Sequence, residues 1–309
     1  MLAFLFPGQG SQTVGMGKAF HDASPAARKV FEEANLALGF ELTRIMFDGP
    51  ESELALTTNT QPAVLAASVA AAAACAERGL RPALAAGHSL GEYSALVVAG
   101  ALELRDAVRI VRKRGEFMQQ AVPVGTGAMA AVMGLALDAV EAVCRDAAQG
   151  QVVDVANVNS SAQIVIAGHK AAVERAVALA GERGGKKSVL LPVSAPFHCA
   201  LMKPAAERLA AELARATVSD PSIPVVRNVD AGVTRAGRDV VPFLLTQVAS
   251  PVRWTECVQR LGAEGATAFI EVGPGRVLTA LTKRIADGAT ALSVEDPGGL
   301  DKALAALKA

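Results

Sequence analysis

The spacing Gly87-x-Ser89-x-Gly91 is that of a nucleophile elbow, in which a serine stands at a sharp turn between a strand and a helix. An apolar run precedes the serine and a helical pattern follows it, as that turn requires. Glycine tolerates the strained and crowded backbone of such a turn. We therefore predict that Ser89 is a nucleophile and that the N–H of Leu90 stabilises an oxyanion beside it. A glycine-rich connection in which the serine only caps the following helix would show the same residues at the same spacing.

A serine hydroxyl is too weakly acidic to attack unaided, so this nucleophile needs a base. His198, in Pro196-Phe-His198 ahead of a helical pattern over 200–216, is the leading candidate, although a histidine at a helix start often only caps or packs. The other histidines are weaker candidates because His88 would point away from the displayed serine and the remaining two have polar surroundings: His21, His169. Cys199 is a rival nucleophile, but no elbow surrounds it, which favours a packed thiol.

A positive charge falls on the apolar face of a predicted helix over 104–121. Arg114 shares the i, i+3, i+4 stripe with Ile110, Val111 and Met118. A lone buried charge is costly, so the guanidinium needs a carboxylate from the protein or from a ligand. A structural ion pair or a snorkelling side chain would also satisfy the pattern.

The first predicted strand, over 2–6, runs into the loop Pro7-Gly-Gln9-Gly-Ser-Gln12. A dinucleotide fingerprint is excluded because Thr13 stands where the third glycine belongs, and Gly17-Lys18 lacks the other residues of a P-loop. Open α/β sheets bind ligands at the carboxyl ends of their strands, so this loop could supply a second oxyanion donor to Ser89. A turn with no role in catalysis is equally consistent with these residues.

The order of predicted elements indicates two domains of an α/β protein. Between 125 and 195 the patterns read strand, helix, strand, strand, helix, strand, which is the ferredoxin-like order. We predict this segment to be a small domain inserted into a larger one formed by 1–124 and 196–309. Asn157-Val-Asn-Ser160 would be its middle turn, with side chains that face a cleft or serve the turn. The apolar stretch 63–76 predicts a buried helix capped by Thr60 and stopped by Gly79.

Composition excludes several classes of protein. The 309 residues include 30 basic and 30 acidic side chains, and zero net charge argues against a nucleic-acid surface. The stretch 63–76 is shorter than the ~20 residues that span a bilayer, so we expect no membrane segment. The four cysteines are scattered, which indicates reduced thiols in a cytoplasmic protein and offers no metal site.

Five ordered motifs make the chain resemble the malonyl-CoA:acyl carrier protein transacylase family over nearly its whole length. They are Phe6-Pro-Gly-Gln9-Gly-Ser-Gln12, Gly87-His-Ser89-Leu-Gly-Glu-Tyr93, Val111-Arg-Lys-Arg114-Gly-Glu-Phe-Met-Gln119, Pro196-Phe-His198 and Gln247-Val-Ala-Ser-Pro-Val-Arg-Trp254. The resemblance implies an α/β-hydrolase-like large domain, with a parallel-rich sheet, and an inserted ferredoxin-like small domain.

The activity that the resemblance implies is malonyl transfer from malonyl-CoA to the phosphopantetheine thiol of acyl carrier protein, as in type II fatty acid synthesis. A malonyl ester on Ser89 would be the intermediate, and no cofactor or metal is expected. The carrier protein is acidic in this family, so a basic patch is expected; Lys186-Lys187 and Lys283-Arg284 are candidates.

Roles for individual residues follow from the same resemblance. Ser89 and His198 would be catalytic, and the backbone carbonyl of Gln247 would orient the imidazole in place of an aspartate, so that its side chain matters less. The N–H groups of Gln9 and Leu90 would hold the oxyanion. The residues implied to bind substrate are Arg114, which would pair with the malonyl carboxylate, Gln9, Asn157 and Phe197, whose type is that of malonyl-selective members.

Two other functions remain open at this level. A serine thioesterase would form the same acyl-serine and pass the acyl group to water. A non-catalytic module that binds acyl carrier protein or coenzyme A would share the surface without the chemistry.

Overall fold

The structure is a computed structural model that describes residues 1–308 and contains two β-sheets with helices packed around them. Its strands are β1 (Leu2–Phe6), β2 (Leu84–Gly87), β3 (Gly127–Met133), β4 (Val153–Ser160), β5 (Gln163–His169), β6 (Lys187–Leu190), β7 (Val225–Val226), β8 (Val233–Thr234), β9 (Ala268–Val272) and β10 (Thr290–Val294). Its helices are α1 (Lys18–Ala23), α2 (Pro25–Leu38), α3 (Leu42–Asp48), α4 (Glu51–Leu54), α5 (Thr57–Glu77), α6 (Leu90–Val98), α7 (Leu104–Gln120), α8 (Leu137–Ala148), α9 (Lys170–Glu182), α10 (Lys203–Leu213), α11 (Val240–Val248), α12 (Trp254–Ala263), α13 (Val277–Ile285) and α14 (Pro297–Ala306).

The larger sheet has the strand order β10-β9-β1-β2-β7-β8, in which only the β7–β8 pair is antiparallel. Strand β1 lies inside this sheet, and its alternate side chains enter two different cores. Phe4 and Phe6 pack on one face, and Ala3 and Leu5 pack on the other. Both faces of the sheet are covered, which is why its inner strands β1 and β2 are continuous apolar runs.

The smaller sheet has the order β4-β5-β3-β6 and is antiparallel throughout. Helices α8 and α9 pack against it over a separate apolar core. The prediction of a turn at 157–160 was wrong. These residues continue β4, and the chain reverses at 161–162. The strand continues because its backbone also bonds to the segment that follows α11, where the Val158 N–H donates to the Val252 carbonyl at 2.9 Å.

Helix α5 is the buried helix expected between 63 and 76, but Thr60 does not cap it. The helix begins at Thr57, one turn earlier. The hydroxyl of Thr60 instead donates to the carbonyls of Leu54 at 2.6 Å and Leu56 at 3.1 Å. Within residues 1–308, no helix combines the length and the apolar character needed to cross a bilayer.

The connection from β2 to α6 is a tight reversal that leaves Ser89 with φ of 53° and ψ of −110°. Backbone closes in on both flanking glycines. A Cβ on Gly87 would stand 1.9 Å from the Gly91 carbonyl, and a Cβ on Gly91 would stand 2.1 Å from the Phe6 carbonyl oxygen. No side chain fits at either position, so the two glycines are required by the contact of helix, strand and turn.

We expect Gly87→Ala to destabilise the fold by more than about 3 kcal/mol, because the methyl group meets backbone that cannot move aside. The matched control is Gly262→Ala in α12, where an added Cβ meets nothing within 4 Å; it should stay within about 1 kcal/mol of the wild type. Chemical denaturation of both variants measures the difference, and equal stabilities would contradict this account of the elbow.

Candidate active site

The structure brings Ser89 and His198 together from segments 109 residues apart. The Ser89 Oγ lies 2.7 Å from Nε2 of the imidazole. The other ring nitrogen, Nδ1, lies 3.0 Å from the backbone carbonyl of Gln247. A carbonyl can only accept, so Nδ1 carries the hydrogen and Nε2 is free to accept the serine proton. This arrangement suits a general base next to a nucleophile.

His198 lies in the loop that leads from β6 of the smaller sheet towards α10. Its φ of 59° is in the left-handed region, where a residue with a side chain is strained. The smaller sheet holds the following residues in place, since Oδ2 of Asp154 in β4 accepts from the Ala200 N–H at 2.9 Å. The position of the imidazole therefore depends on contacts from both sheets.

Arg114 reaches the same serine from α7 and is only 2% exposed. Its Nη2 donates to Ser89 Oγ at 3.1 Å and to Oε1 of Gln247 at 3.0 Å, and its Nη1 donates to Oε1 of Gln61 at 2.8 Å. No carboxylate lies within ion-pair distance of this guanidinium in the part of the chain that the structure describes. The Nε atom is buried with no hydrogen-bond partner in the same residues.

Gln247 contributes its side chain as well as its carbonyl, although the family resemblance implied that the side chain matters less. Its Nε2 donates to the Ser89 carbonyl at 2.9 Å and to Oε2 of Glu92 at 2.8 Å, while Oε1 accepts from Arg114. The residue is fully buried. One amide thus joins the elbow, a buried cation and a buried carboxylate.

Two residues of this network, Asn228 and Glu92, escaped the sequence interpretation. The Asn228 side chain brackets the elbow: its Oδ1 accepts from the Ser89 N–H at 2.7 Å and its Nδ2 donates to the Gly87 carbonyl at 2.8 Å. Glu92 is 3% exposed and accepts from the Asn228 N–H at 3.0 Å. In the sequence, only the acidic residue Glu92 within the otherwise apolar start of α6 could have indicated this network.

A cavity of about 550 Å³ opens over these groups. Its lining includes every site residue that the family resemblance implied except Gln247: Gln9, Ser89, Leu90, Arg114, Asn157, Phe197 and His198. The loop that carries Gln9 is held by Thr57, whose hydroxyl donates to Gln9 Oε1 at 2.5 Å. Neither Gln9 nor Leu90 donates its backbone N–H to another group within residues 1–308.

Asn157 and Phe197 form part of the wall of this cavity and are both buried. His88 also lines it, and its Nε2 pairs with Oδ1 of Asn159 at 3.0 Å rather than with the serine. His21, His169 and Cys199 lie outside the cavity. No group of three or more His, Cys, Asp and Glu side chains able to hold a metal occurs in the described chain.

Burial controls the protonation of the site. Desolvation, followed by the nearby charge of Arg114, lowers the pKa of His198 to about 3, so the imidazole is neutral at pH 7 and available as a base. Desolvation also lowers the pKa of Arg114. The pKa of Glu92 is raised to about 7 by burial, against the opposing effects of its bonds to Gln247 and Asn228 and of the Arg114 charge.

Comparisons with known proteins agree on one family. The model of the acyl transferase domain matches residues 3–296. The malonyl CoA-acyl carrier protein transacylase of Escherichia coli K12 is 51% identical over 303 residues, covering 98% of each chain. The solved acyl carrier protein S-malonyltransferase of Vibrio cholerae is 50% identical, with a TM-score of 0.95 over 98% of this chain and 99% of that one.

A third relative is a malonyl-transacylase solved in complex with its type II PKS acyl-carrier protein. It is 47% identical to this chain, with a TM-score of 0.96 and 99% coverage of both. Fold, site and comparisons agree: the chain belongs to the acyl transferase family and, within it, to the malonyl CoA-acyl carrier protein transacylases.

The buried imidazole predicts how folding stability depends on pH. The unfolded chain takes up a proton at His198 near pH 6.5, whereas the folded protein resists protonation down to about pH 3. His198 therefore contributes stability that is present above pH 6.5 and is lost as the pH falls towards 3, on the order of 5 kcal/mol in all.

We expect the difference in unfolding free energy between the wild type and His198→Gln to be constant above pH 7 and to shift in favour of the variant as the pH falls through that window. Urea denaturation at a series of pH values measures it. Parallel stability curves for the two proteins would contradict the assignment of a neutral, buried imidazole.

Proposed function

We propose that this protein transfers the malonyl group of malonyl-CoA to the phosphopantetheine thiol of acyl carrier protein. The observation that carries the proposal is the position of the Ser89 Oγ, 2.7 Å from the His198 Nε2 and 3.1 Å from the Arg114 Nη2 at the floor of one cavity. A nucleophile, a neutral base and a buried cation at one point suit an acyl group that carries a carboxylate at its far end.

The first half-reaction forms a malonyl ester on Ser89. The serine O–H bond breaks as its proton passes to Nε2 of His198, and Oγ bonds to the thioester carbonyl carbon. Collapse of the tetrahedral intermediate breaks the carbon–sulfur bond, and the imidazolium returns its proton to the departing sulfur of coenzyme A. The carbonyl of Gln247 holds the ring through Nδ1 during both transfers.

The second half-reaction reverses these steps with a different thiol. His198 takes the proton of the phosphopantetheine thiol, whose sulfur attacks the malonyl ester. The bond between the carbonyl carbon and Oγ breaks, and the proton passes from Nε2 to Ser89. The same residues therefore serve both substrates in turn, which is a ping-pong scheme.

The N–H groups of Leu90 and Gln9 are the proposed oxyanion donors. Both residues line the cavity beside Ser89, and neither N–H is committed to an acceptor within the described residues. Leu90 is also the first residue of α6, where the unpaired N–H groups and the helix dipole favour a negative charge. Loss of one such donor typically costs about 3 kcal/mol of transition-state stabilisation.

Arg114 is the proposed reader of the malonyl carboxylate. A substrate carboxylate would supply an acceptor for its buried, unpartnered Nε and could bond to two N–H groups at once. Acetyl groups lack that carboxylate and leave the cation without its ligand. Asn157 and Phe197 are proposed to shape the wall against which the acyl group rests.

The domain arrangement, the absence of a cofactor, the cellular location and the partner are proposed together with the activity. The strand orders of the two sheets support an α/β-hydrolase-like large domain, residues 1–124 and 196–309, with a ferredoxin-like insert at 125–195. The chemistry requires no cofactor, since the activated acyl group arrives as a coenzyme A thioester. Four free, buried cysteines support a cytoplasmic location. The relative solved with its acyl-carrier protein supports the choice of partner.

Intact-mass measurement after brief exposure to malonyl-CoA tests the proposal. We expect the wild type and the control Ser94→Ala, which removes a buried hydroxyl without a partner, to gain one malonyl group, and Ser89→Ala to gain none. Added acyl carrier protein should discharge the ester. Rapid release of free malonate without any acceptor would instead indicate a thioesterase, and an ester in Ser89→Ala would contradict the assignment of the nucleophile.

We expect Arg114→Ala to lower kcat/KM for malonyl-CoA by about a hundredfold or more while changing that for acetyl-CoA little, because one charged contact to the carboxylate is lost. The matched control is Arg112→Ala on the same helix, whose guanidinium bonds to Asn59 and does not line the cavity. Parallel kinetics with both thioesters give the selectivity. An unchanged ratio in Arg114→Ala would show that another group reads the carboxylate.

A further inference from the structure

Glu92 is a buried carboxylate beside the active site that the transfer mechanism leaves without a role. It lies in the first turn of α6, three residues after Ser89, and does not line the cavity. Its Oε2 accepts from Gln247 Nε2 at 2.8 Å and from the Asn228 N–H at 3.0 Å. An ionised side chain in such a place is unfavourable unless it is paired, so its presence requires an explanation.

A second cation near Glu92 already has its own carboxylate. Arg227 donates through Nε and Nη2 to the two oxygens of Asp230, at 2.7 and 2.9 Å. Arg114, in contrast, has neutral acceptors only: Gln61, Ser89 and Gln247. Within the described residues, the Glu92 carboxylate and the Arg114 guanidinium are therefore buried charges beside the active site without a direct partner of opposite sign.

The amide of Gln247 joins these two charges. Its Oε1 faces the Arg114 guanidinium and its Nε2 faces the Glu92 carboxylate, so the amide dipole is aligned with both. The backbone carbonyl of the same residue accepts from Nδ1 of His198. Hydrogen bonds therefore connect Glu92 to the Arg114 guanidinium through the side-chain amide of Gln247, and to the His198 imidazole through the backbone of the same residue.

We propose that Glu92 is a positioning residue with a second, electrostatic role: it is the counter-charge that balances Arg114 while no acyl carboxylate is bound. This inference rests on the proposed function, because it takes Arg114 as the binding site of that carboxylate. Glu92 orients Gln247, and its negative charge weakens the attraction of the resting site for free anions. The substrate carboxylate then adds the direct ion pair that Glu92, held one amide away, cannot make.

Two substitutions separate charge from geometry. Glu92→Gln keeps an oxygen acceptor for Gln247 and Asn228 and removes the charge, whereas Glu92→Ala removes both. The control is Glu271→Gln, at another buried carboxylate that accepts from two backbone N–H groups, those of Leu278 and Thr279, and does not contact the site. The Glu271→Gln variant shows how the loss of a buried carboxylate away from the site affects binding and rate.

The first measurement is calorimetric binding of free malonate to each protein at about pH 8, above the pKa of about 7 of Glu92. With its counter-charge removed, Arg114 should attract the dianion more strongly, so we expect Glu92→Gln to bind malonate at least about threefold more tightly than the wild type. Glu271→Gln should match the wild type. Equal, weaker or undetectable binding in Glu92→Gln would overturn the electrostatic part of the proposal.

The second measurement is the rate of ester formation from malonyl-CoA. We expect Glu92→Gln to stay within about tenfold of the wild type and Glu92→Ala to fall by about a hundredfold, because only the alanine variant removes one of the two close acceptors of the Gln247 amide. Equal rates in the two variants would overturn the positioning role. Failure of the proposed function would show differently, as no ester on wild-type Ser89, and would leave the malonate comparison readable.

Discussion

The buried positive charge of Arg114 is the constraint to which the rest of this active site conforms. A guanidinium removed from water must have its N–H groups accepted, and three residues from three different elements provide the acceptors: Gln61, Ser89 and Gln247. The same charge adds to burial in lowering the pKa of His198, which keeps the imidazole neutral and able to take a proton. The proposed recognition of the acyl carboxylate and the neutrality of the proposed base thus depend on one side chain.

The contact between the two sheets is the second requirement. Ser89 lies at the carboxyl end of a strand of the larger sheet, while the segment that bears His198 is held by Asp154 of the smaller one. The Val158 N–H donates to the Val252 carbonyl and the Val252 N–H donates to the Ala156 carbonyl, which joins the same two parts a few residues beyond Gln247. The distance between Ser89 and His198 therefore depends on how the smaller sheet packs against the elements around the larger one.

Much of the fold could be predicted because its signals are local. Apolar runs indicated the strands, and the apolar stripe through Arg114 indicated α7. The spacing of Gly87 and Gly91 indicated the elbow, and the close approach of backbone at both positions explains why glycine is needed there. The errors arose where a distant contact overrode a local signal. Asn157 and Ser160 have turn-forming side chains, but pairing with a neighbouring strand and with Val252 extends β4 through them. Thr60 looked like a cap, yet its helix begins a turn earlier.

The sequence by itself determined the chemical groups and their local settings: a serine on a strained turn, a histidine before a helix and an arginine on an apolar stripe. These follow from periodicity and from backbone preferences within a few residues. Only the tertiary structure decided that the three meet, and that Glu92, Asn228 and the Gln247 side chain form the network beneath them. Hydrogen bonds between residues more than a hundred positions apart leave no periodic trace in the chain, because their geometry exists only once the two sheets have packed.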